Sequence, residues 1–155
     1  MQKEIAAHAG PGTGSSVTAA APVVSVRFVG ALLAVAIATV HVADQGGILT
    51  LNSPQWLGWG FRLIEVGGVL TALAVVLGRP AWLGWAAGAL LGIGPFIGYI
   101  LTRSVGLPGD HGDVGNWGYW VGTVSLIIEV ALVVLSLGML LALRQRSEPA
   151  YPAAD

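Results

Sequence analysis

The chain is 155 residues long, 55% hydrophobic and only 10% charged, with a formal net charge of −1. Soluble domains carry about 25% charged residues, so this composition, with a mean hydropathy of +0.77, excludes an ordinary soluble domain and describes a membrane protein. The charge balance leaves no basic face for nucleic acid, and the lack of cysteine excludes disulfides, thiolate metal sites and cysteine nucleophiles.

Residues 1–23 are mostly Gly, Ala, Ser, Thr and Pro, too poor in bulky apolar side chains to build a core, and are expected to form a disordered tail. No signal peptide is expected, because no small-residue cleavage site follows Arg27 before His41. Four apolar spans come next, at 24–43, 56–78, 81–103 and 117–143, and each reaches the ~20 residues a helix needs to cross the hydrocarbon core. Residues 144–155 read as a second polar tail. The connections are short, so neighbouring helices should be antiparallel, and the expected fold is an all-α four-transmembrane-helix bundle in one domain. Pro80 starts the third helix, and Pro95 should kink it and free backbone carbonyls toward the interior.

Cations set the expected orientation. Lys3, Arg27, Arg79, Arg144 and Arg146 fall at one end, while Arg103 stands at the other among Asp44, Asp110, His111 and Asp113. The positive-inside rule then places both termini in the cytoplasm and the 44–55 and 104–116 loops outside. Trp56, Trp59, Trp117, Tyr119 and Trp120 read as the outer aromatic belt, and Trp82 and Trp85 as the inner one.

The second and fourth spans share a pattern. Trp56-Leu-Gly-Trp-Gly-Phe-Arg-Leu-Ile-Glu-Val66 and Trp120-Val-Gly-Thr-Val-Ser-Leu-Ile-Ile-Glu-Val130 repeat Trp, Gly, Ile, Glu and Val at one spacing, so Glu65 and Glu129 are counterparts. The first and third spans match at Gly30-Ala-Leu-Leu and Gly88-Ala-Leu-Leu, which aligns His41 with Tyr99. Two copies of a helical hairpin in the same orientation are the expectation, as in parallel-repeat transporters.

Helical spacing then assigns faces. Gly118, Gly122, Ser125, Glu129 and Ser136 share a stripe, as do Gly58, Arg62, Glu65 and Ala72. Gly84, Gly88 and Gly92 form a small-residue stripe that continues to Tyr99 and Arg103, and Arg27, Gly30, Ala34 and His41 line up on the first helix. Small residues let membrane helices approach closely, and polar ones must face the interior.

A charge at membrane depth costs several kcal/mol unless it is paired, hydrated or protonated, so Glu65 and Glu129 are functional candidates. At 1.5 Å per residue Glu65 lies ~13 Å below Trp56, and Glu129 a similar distance below Trp120. The expectation is an outward vestibule with His41, Tyr99 and Arg103 at the mouth and the two carboxylates facing each other at the floor. Arg62 and Arg103 are the cations able to neutralise them as interior ion pairs; otherwise the carboxylates share a proton or bind a cation. His41, His111, Asp110 and Asp113 are the weaker metal candidates. The Glu-x-x-His signature of bundle di-metal sites is missing, and His41 stands about two turns above the glutamates. A second helical histidine for haem, a nucleophile elbow, a zinc-protease motif and a phosphate loop are missing too.

The run Tyr99-Ile-Leu-Thr-Arg-Ser-Val-Gly-Leu-Pro-Gly109, with the helix-ending His41 and the Glu129 helix, resembles a group of small four-helix membrane proteins of high-GC bacteria. That group is marked by Arg-[Ser/Thr]-x-Gly-Leu-Pro after its third helix, and the likeness covers residues 28–143. It implies the architecture, a bacterial plasma membrane, and His41, Arg103, Pro108 and Glu129 as characteristic positions; it implies no substrate or cofactor. Arg62 and the Asp110–Asp113 loop fall outside it. In this pattern Arg103 ends the helix, Gly106 turns the chain and Pro108 stiffens the exit, folding the loop over the vestibule so that Arg103 meets Glu129 or an anionic group from outside.

The expected function is therefore an outward-facing polar pocket within the lipid bilayer that binds a small ligand, an ion or a lipid headgroup, or couples protons. Catalytic machinery is not expected. One alternative is an accessory subunit that assembles with a membrane-protein partner or as a homo-oligomer. Another is a metal- or redox-linked membrane enzyme.

Overall fold

The computed structural model describes residues 20–147 and is an all-helical bundle of four membrane-length helices: α1 (Ala20–Asp44), α2 (Gln55–Leu77), α3 (Ala81–Ser104) and α4 (Trp120–Ser147). Each is long and apolar enough to cross a bilayer, which makes the chain a multi-pass membrane protein. The tail expectations for 1–19 and 148–155 and the charge of Lys3 lie outside the described residues. Between those limits helix replaces tail: α1 begins at Ala20, and α4 continues through Arg144 and Arg146 to Ser147. Basic side chains in a last turn complement the negative end of the helix dipole. At its other end α4 starts three residues late, because Gly115, Asn116 and Gly118 are poor helix formers and Trp117 and Tyr119 are held by loop contacts.

Sequential helices pack side by side. The tightest pairs are α1 with α2 and α3 with α4; α2 also meets α3, α1 meets α4, and among the described residues the backbones of α2 and α4 stand apart. Lipid tails are as apolar as leucine, so these contacts depend on close approach of backbones. At Gly68 an added Cβ would stand 2.7 Å from the Ala34 carbonyl of α1, and at Gly92 it would stand 2.7 Å from the Glu129 carbonyl of α4. Gly84 meets Val75 and Ala74 of α2 in the same way, and Gly88 meets Ser136 of α4. The stripe read from Gly84, Gly88 and Gly92 is thus used up inside the bundle, divided between α2 and α4. Outward, the helices present Leu32, Leu63, Leu90 and Leu141, as a lipid-facing surface requires.

One belt residue is misplaced by the sequence reading. Trp85 is buried, its ring pressed against Gly30 where a Cβ would come within 2.7 Å, so Trp82 faces outward at that end while Trp85 belongs to the core.

α3 runs unbroken through Pro95. Proline has no N–H, so the Leu91 carbonyl loses its helical donor at that point. Below this level α1 and α3 touch through Trp85 and Gly30; above it the bundle opens toward the end that carries the two long loops.

Candidate functional site

That opening is a cavity of about 880 Å³ between all four helices, reaching from the loop end past mid-bundle. Its walls are helical stripes. On α2 the stripe is Leu57, Gly60, Phe61, Ile64, Gly67 and Thr71; on α4 it is Val121, Gly122, Ser125 and Glu129. α3 contributes Leu91, Pro95, Tyr99 and Arg103 among others, and the end of α1 contributes His41 and Asp44. Spacings of three and four residues place each set on one face.

Glu129 is the buried carboxylate of this cavity, 2% exposed. Ser125, one turn earlier, donates its hydroxyl to Glu129 Oε1 at 2.6 Å, and Oε2 has no hydrogen-bond partner. Neither of the two ion pairs among the described residues includes it.

Glu65 occupies different surroundings, and this corrects the expectation of two facing carboxylates. It lies on the buried α2 stripe of Gly58, Glu65, Gly68 and Ala72, which meets α1 at Gly68 and the loop after α1 at Gly58 and Glu65, outside the cavity lining. Gln45 Nε2 donates to its Oε1 at 2.7 Å, and Arg62 pairs with its Oε2. Arg62 also donates to the Thr50 carbonyl at 2.6 Å, so both residues tie the 45–54 loop to α2. An α-helix turns 100° per residue, and the step from Ile64 to Glu65 is enough to move the side chain from the cavity stripe to the stripe of Gly68 and Ala72. Gln45, buried beside Glu65, is the member of this set that sequence reasoning missed; its signal was a lone amide just after an apolar helix.

Arg103 is 6% exposed at the cavity mouth. It pairs with Asp113 at 2.8 Å, and its guanidinium carbon lies 4.8 Å from the Tyr99 ring centre and 5.8 Å from that of Tyr119. The expected partner, Glu129, is not the one it meets: Arg103 is the penultimate residue of α3, at the level of the loop, while Glu129 lies nine residues down α4, ~13 Å at 1.5 Å per residue. Tyr99 packs against Gly122 and donates to the Trp117 carbonyl at 3.3 Å.

His41 is buried on α1, its Nδ1 2.9 Å from the Ile37 carbonyl and its ring 5.3 Å from that of Phe61. His111 is exposed in the 105–119 loop and lies against Gly106. Among the described residues no three His, Asp or Glu side chains converge as a metal cage, so His41, His111, Asp110 and Asp113 do not form one ligand set.

The 105–119 loop roofs the mouth. Gly106, at φ +78, donates to the Leu101 carbonyl at 2.9 Å and closes α3 with a six-to-one bond. Leu107-Pro108-Gly109-Asp110 then makes a turn with Gly109 at φ +79 and a 2.8 Å bond from the Asp110 amide to the Leu107 carbonyl, the pattern Pro-Gly favours. Trp56 Nε1 donates to the Pro108 carbonyl at 3.2 Å, Gly115 donates to the Arg103 carbonyl at 2.9 Å, and Tyr119 donates to Asp44 at 2.7 Å. Tyr119 and Asp44, read from sequence as a belt aromatic and a loop acid, are working parts of this mouth. The hydrogen bond to the Asp44 carboxylate, aided by partial burial, pushes the Tyr119 phenol up to about 12.

The fold and the lining define a multi-pass helical membrane protein with a roofed, acid-bearing cavity between its helices. No protein-family model, curated protein or solved structure matches the chain.

Proposed function

We propose that this chain is a plasma-membrane protein of a bacterium whose cavity faces outward and binds a small ligand, with Glu129 as the group that meets it. The observation that carries this reading is the Glu129 carboxylate: buried, on the cavity wall, with one oxygen unpartnered. A buried polar atom left without a partner costs on the order of 1–3 kcal/mol, more when charged. A proton, a cation or a hydrogen-bond donor on a ligand removes that cost. Arg27, Arg79, Arg144 and Arg146 lie at the end opposite the mouth and support cytoplasmic termini, which turns the mouth outward.

The duplicated-hairpin reading has support in where the helices cross. Ala34 aligns with Gly92 and Gly68 with Leu132; Gly68 sits on Ala34, and Gly92 sits against the Glu129–Val133 turn beside Leu132. The two halves have since diverged in use, with Glu65 tying down a loop and Glu129 facing the cavity. The accessory-subunit alternative would need a face other than the Gly84, Gly88 and Gly92 stripe, which packs within the bundle.

A hydrophobic carbodiimide, which adds to carboxyl groups in membrane-buried pockets, tests the pocket. The folded protein should gain one adduct at Glu129 by peptide mass mapping, none at Glu65, and none in Glu129→Gln. Absence of the Glu129 adduct, or equal labelling of Glu65, would overturn the reading.

A further inference from the structure

Two boundaries of the cavity differ in chemistry. Toward the loop end, the 105–119 segment lies across it, held by the Trp56–Pro108, Arg103–Asp113 and Tyr119–Asp44 contacts. Along its side, between α2 and α3, it is bounded by Leu63 and Leu90, which are 75% and 72% exposed on the lipid-facing surface. An added Cβ at Gly60, Gly94 or Gly98 would meet nothing within 4 Å, so the glycines of this wall border open space, unlike Gly88 and Gly92 at the helix contacts. The roofed end is lined by polar and charged loop residues, and the side by exposed leucines of the apolar helix surface.

The charges of the lining are unbalanced. Asp44, Asp110, Asp113 and Glu129 stand against a single guanidinium, Arg103, which Asp113 already pairs. Arg62 is no help, since it is bound to Glu65 outside the lining. Asp44 has the Tyr119 hydroxyl, so the buried carboxylate with an oxygen to spare is Glu129. Phe61 adds an aromatic wall, whose ring attracts cations, while the Tyr99 ring already carries the Arg103 guanidinium. The volume is within the roughly 300–1,000 Å³ of sites that take drug-sized ligands.

Resting on the pocket reading above, we propose that the ligand is a lipophilic cation, an apolar body bearing one positive charge, which enters from the bilayer between α2 and α3 and sets its charge against Glu129. Its apolar body fits the Leu57, Ile64, Leu90 and Leu91 walls, and its charge supplies the partner that Glu129 lacks.

The test uses two probes of one shape and opposite charge, tetraphenylphosphonium and tetraphenylborate, with tetramethylammonium as a small water-borne cation. Binding is measured on the full chain in phosphatidylcholine nanodiscs, with empty discs subtracted. Tetraphenylphosphonium should bind saturably at one per chain, tetraphenylborate no more than to empty discs, and tetramethylammonium at least tenfold more weakly. Glu129→Gln should weaken phosphonium binding at least tenfold. Gly94→Leu, which fills the side opening, should do the same, and Gly138→Leu on the open outer face of α4 should not. Size-exclusion profiles confirm that each variant is folded. Equal binding of the two ions, undiminished binding in both Glu129→Gln and Gly94→Leu, or no phosphonium binding at all would overturn the proposal. If phosphonium fails while the carbodiimide still labels Glu129, the pocket stands and the cation falls; if both fail, so do both readings.

Discussion

Tyr119 donates its hydroxyl to Asp44 across 2.7 Å and so closes the last helix onto the first at the loop end of the bundle. The same phenol ring lies 5.8 Å from the Arg103 guanidinium carbon, and Arg103 in turn holds Asp113. Acid, phenol, guanidinium and acid form one chain across the cavity mouth, joining the ends of α1 and α3, the head of α4 and the loop between them.

That chain gives a pH signature. Because the Tyr119 phenol is pushed up to about 12, the folded state favours its protonated form. The stability this contributes is fully present below the ordinary phenol value of about 10 and is lost as pH rises through 12. Phenolate absorbance should show a step near pH 12 that Tyr119→Phe deletes and Asp44→Asn moves to lower pH. Tyr119→Phe should cost only about 1 kcal/mol at neutral pH, since the bond is partly exposed.

The glycines should divide into two classes by measurement. Gly88→Leu and Gly92→Leu drive a side chain into Ser136 or the α4 backbone and should destabilise the bundle by about 1–3 kcal/mol or more. Gly60→Ala and Gly94→Ala add a methyl to open space and should be neutral or stabilising by up to about 1 kcal/mol through helix propensity. Thermal unfolding in detergent separates the two; equal losses at all four positions would contradict the packing described.

This division marks how far the sequence could be read. Four spans of the right length, the interior face of α4 through Ser125, Glu129 and Ser136, and the Gly84–Gly88–Gly92 contact all follow from period and residue size. The two glutamates were harder. A shared Trp-Gly-Ile-Glu-Val pattern makes Glu65 and Glu129 equivalent along the chain, but which interface each meets depends on how the hairpins pack, and no local pattern encodes that. The cavity wall of α2 was equally hidden, because Gly60, Ile64 and Gly67 look like any lipid-facing stretch until α2 and α4 are seen to stand apart. Gln45 and Tyr119 acquire roles only through partners 20 and 75 residues away.

Arg103→Lys is the sharpest test of the roof. The planar guanidinium pairs with Asp113, donates to Thr102 at 3.1 Å and lies by two tyrosine rings, a combination an ammonium does not reproduce. Amide exchange of Gly115, whose N–H is bonded to the Arg103 carbonyl, should speed up in the variant. The Asp110 amide, held within its own turn by Leu107, should keep its rate.

The two carboxylates should answer the same substitution in opposite ways. Glu65→Gln removes the anion from Arg62, whose side chain is 18% exposed, and leaves one neutral amide oxygen where two carboxylate oxygens accepted from Gln45 and Arg62. Hydrogen bonds to charged groups contribute about 1.5–3 kcal/mol, so a loss of that order in unfolding free energy is expected, together with loosening of the 45–54 loop. Replacing Arg62 by Met in the same chain should recover part of it, because no charge is then stranded. Glu129→Gln removes no cation's partner. Its amide oxygen still accepts from Ser125, and a neutral side chain suits a site without a counter-charge, so stability should hold or rise. Unfolding curves for the three variants and the unsubstituted chain in one detergent decide the matter: equal losses for Glu65→Gln and Glu129→Gln would mean that Glu129 has a structural cation after all, and the distinction between a tying carboxylate and a receiving one would fail.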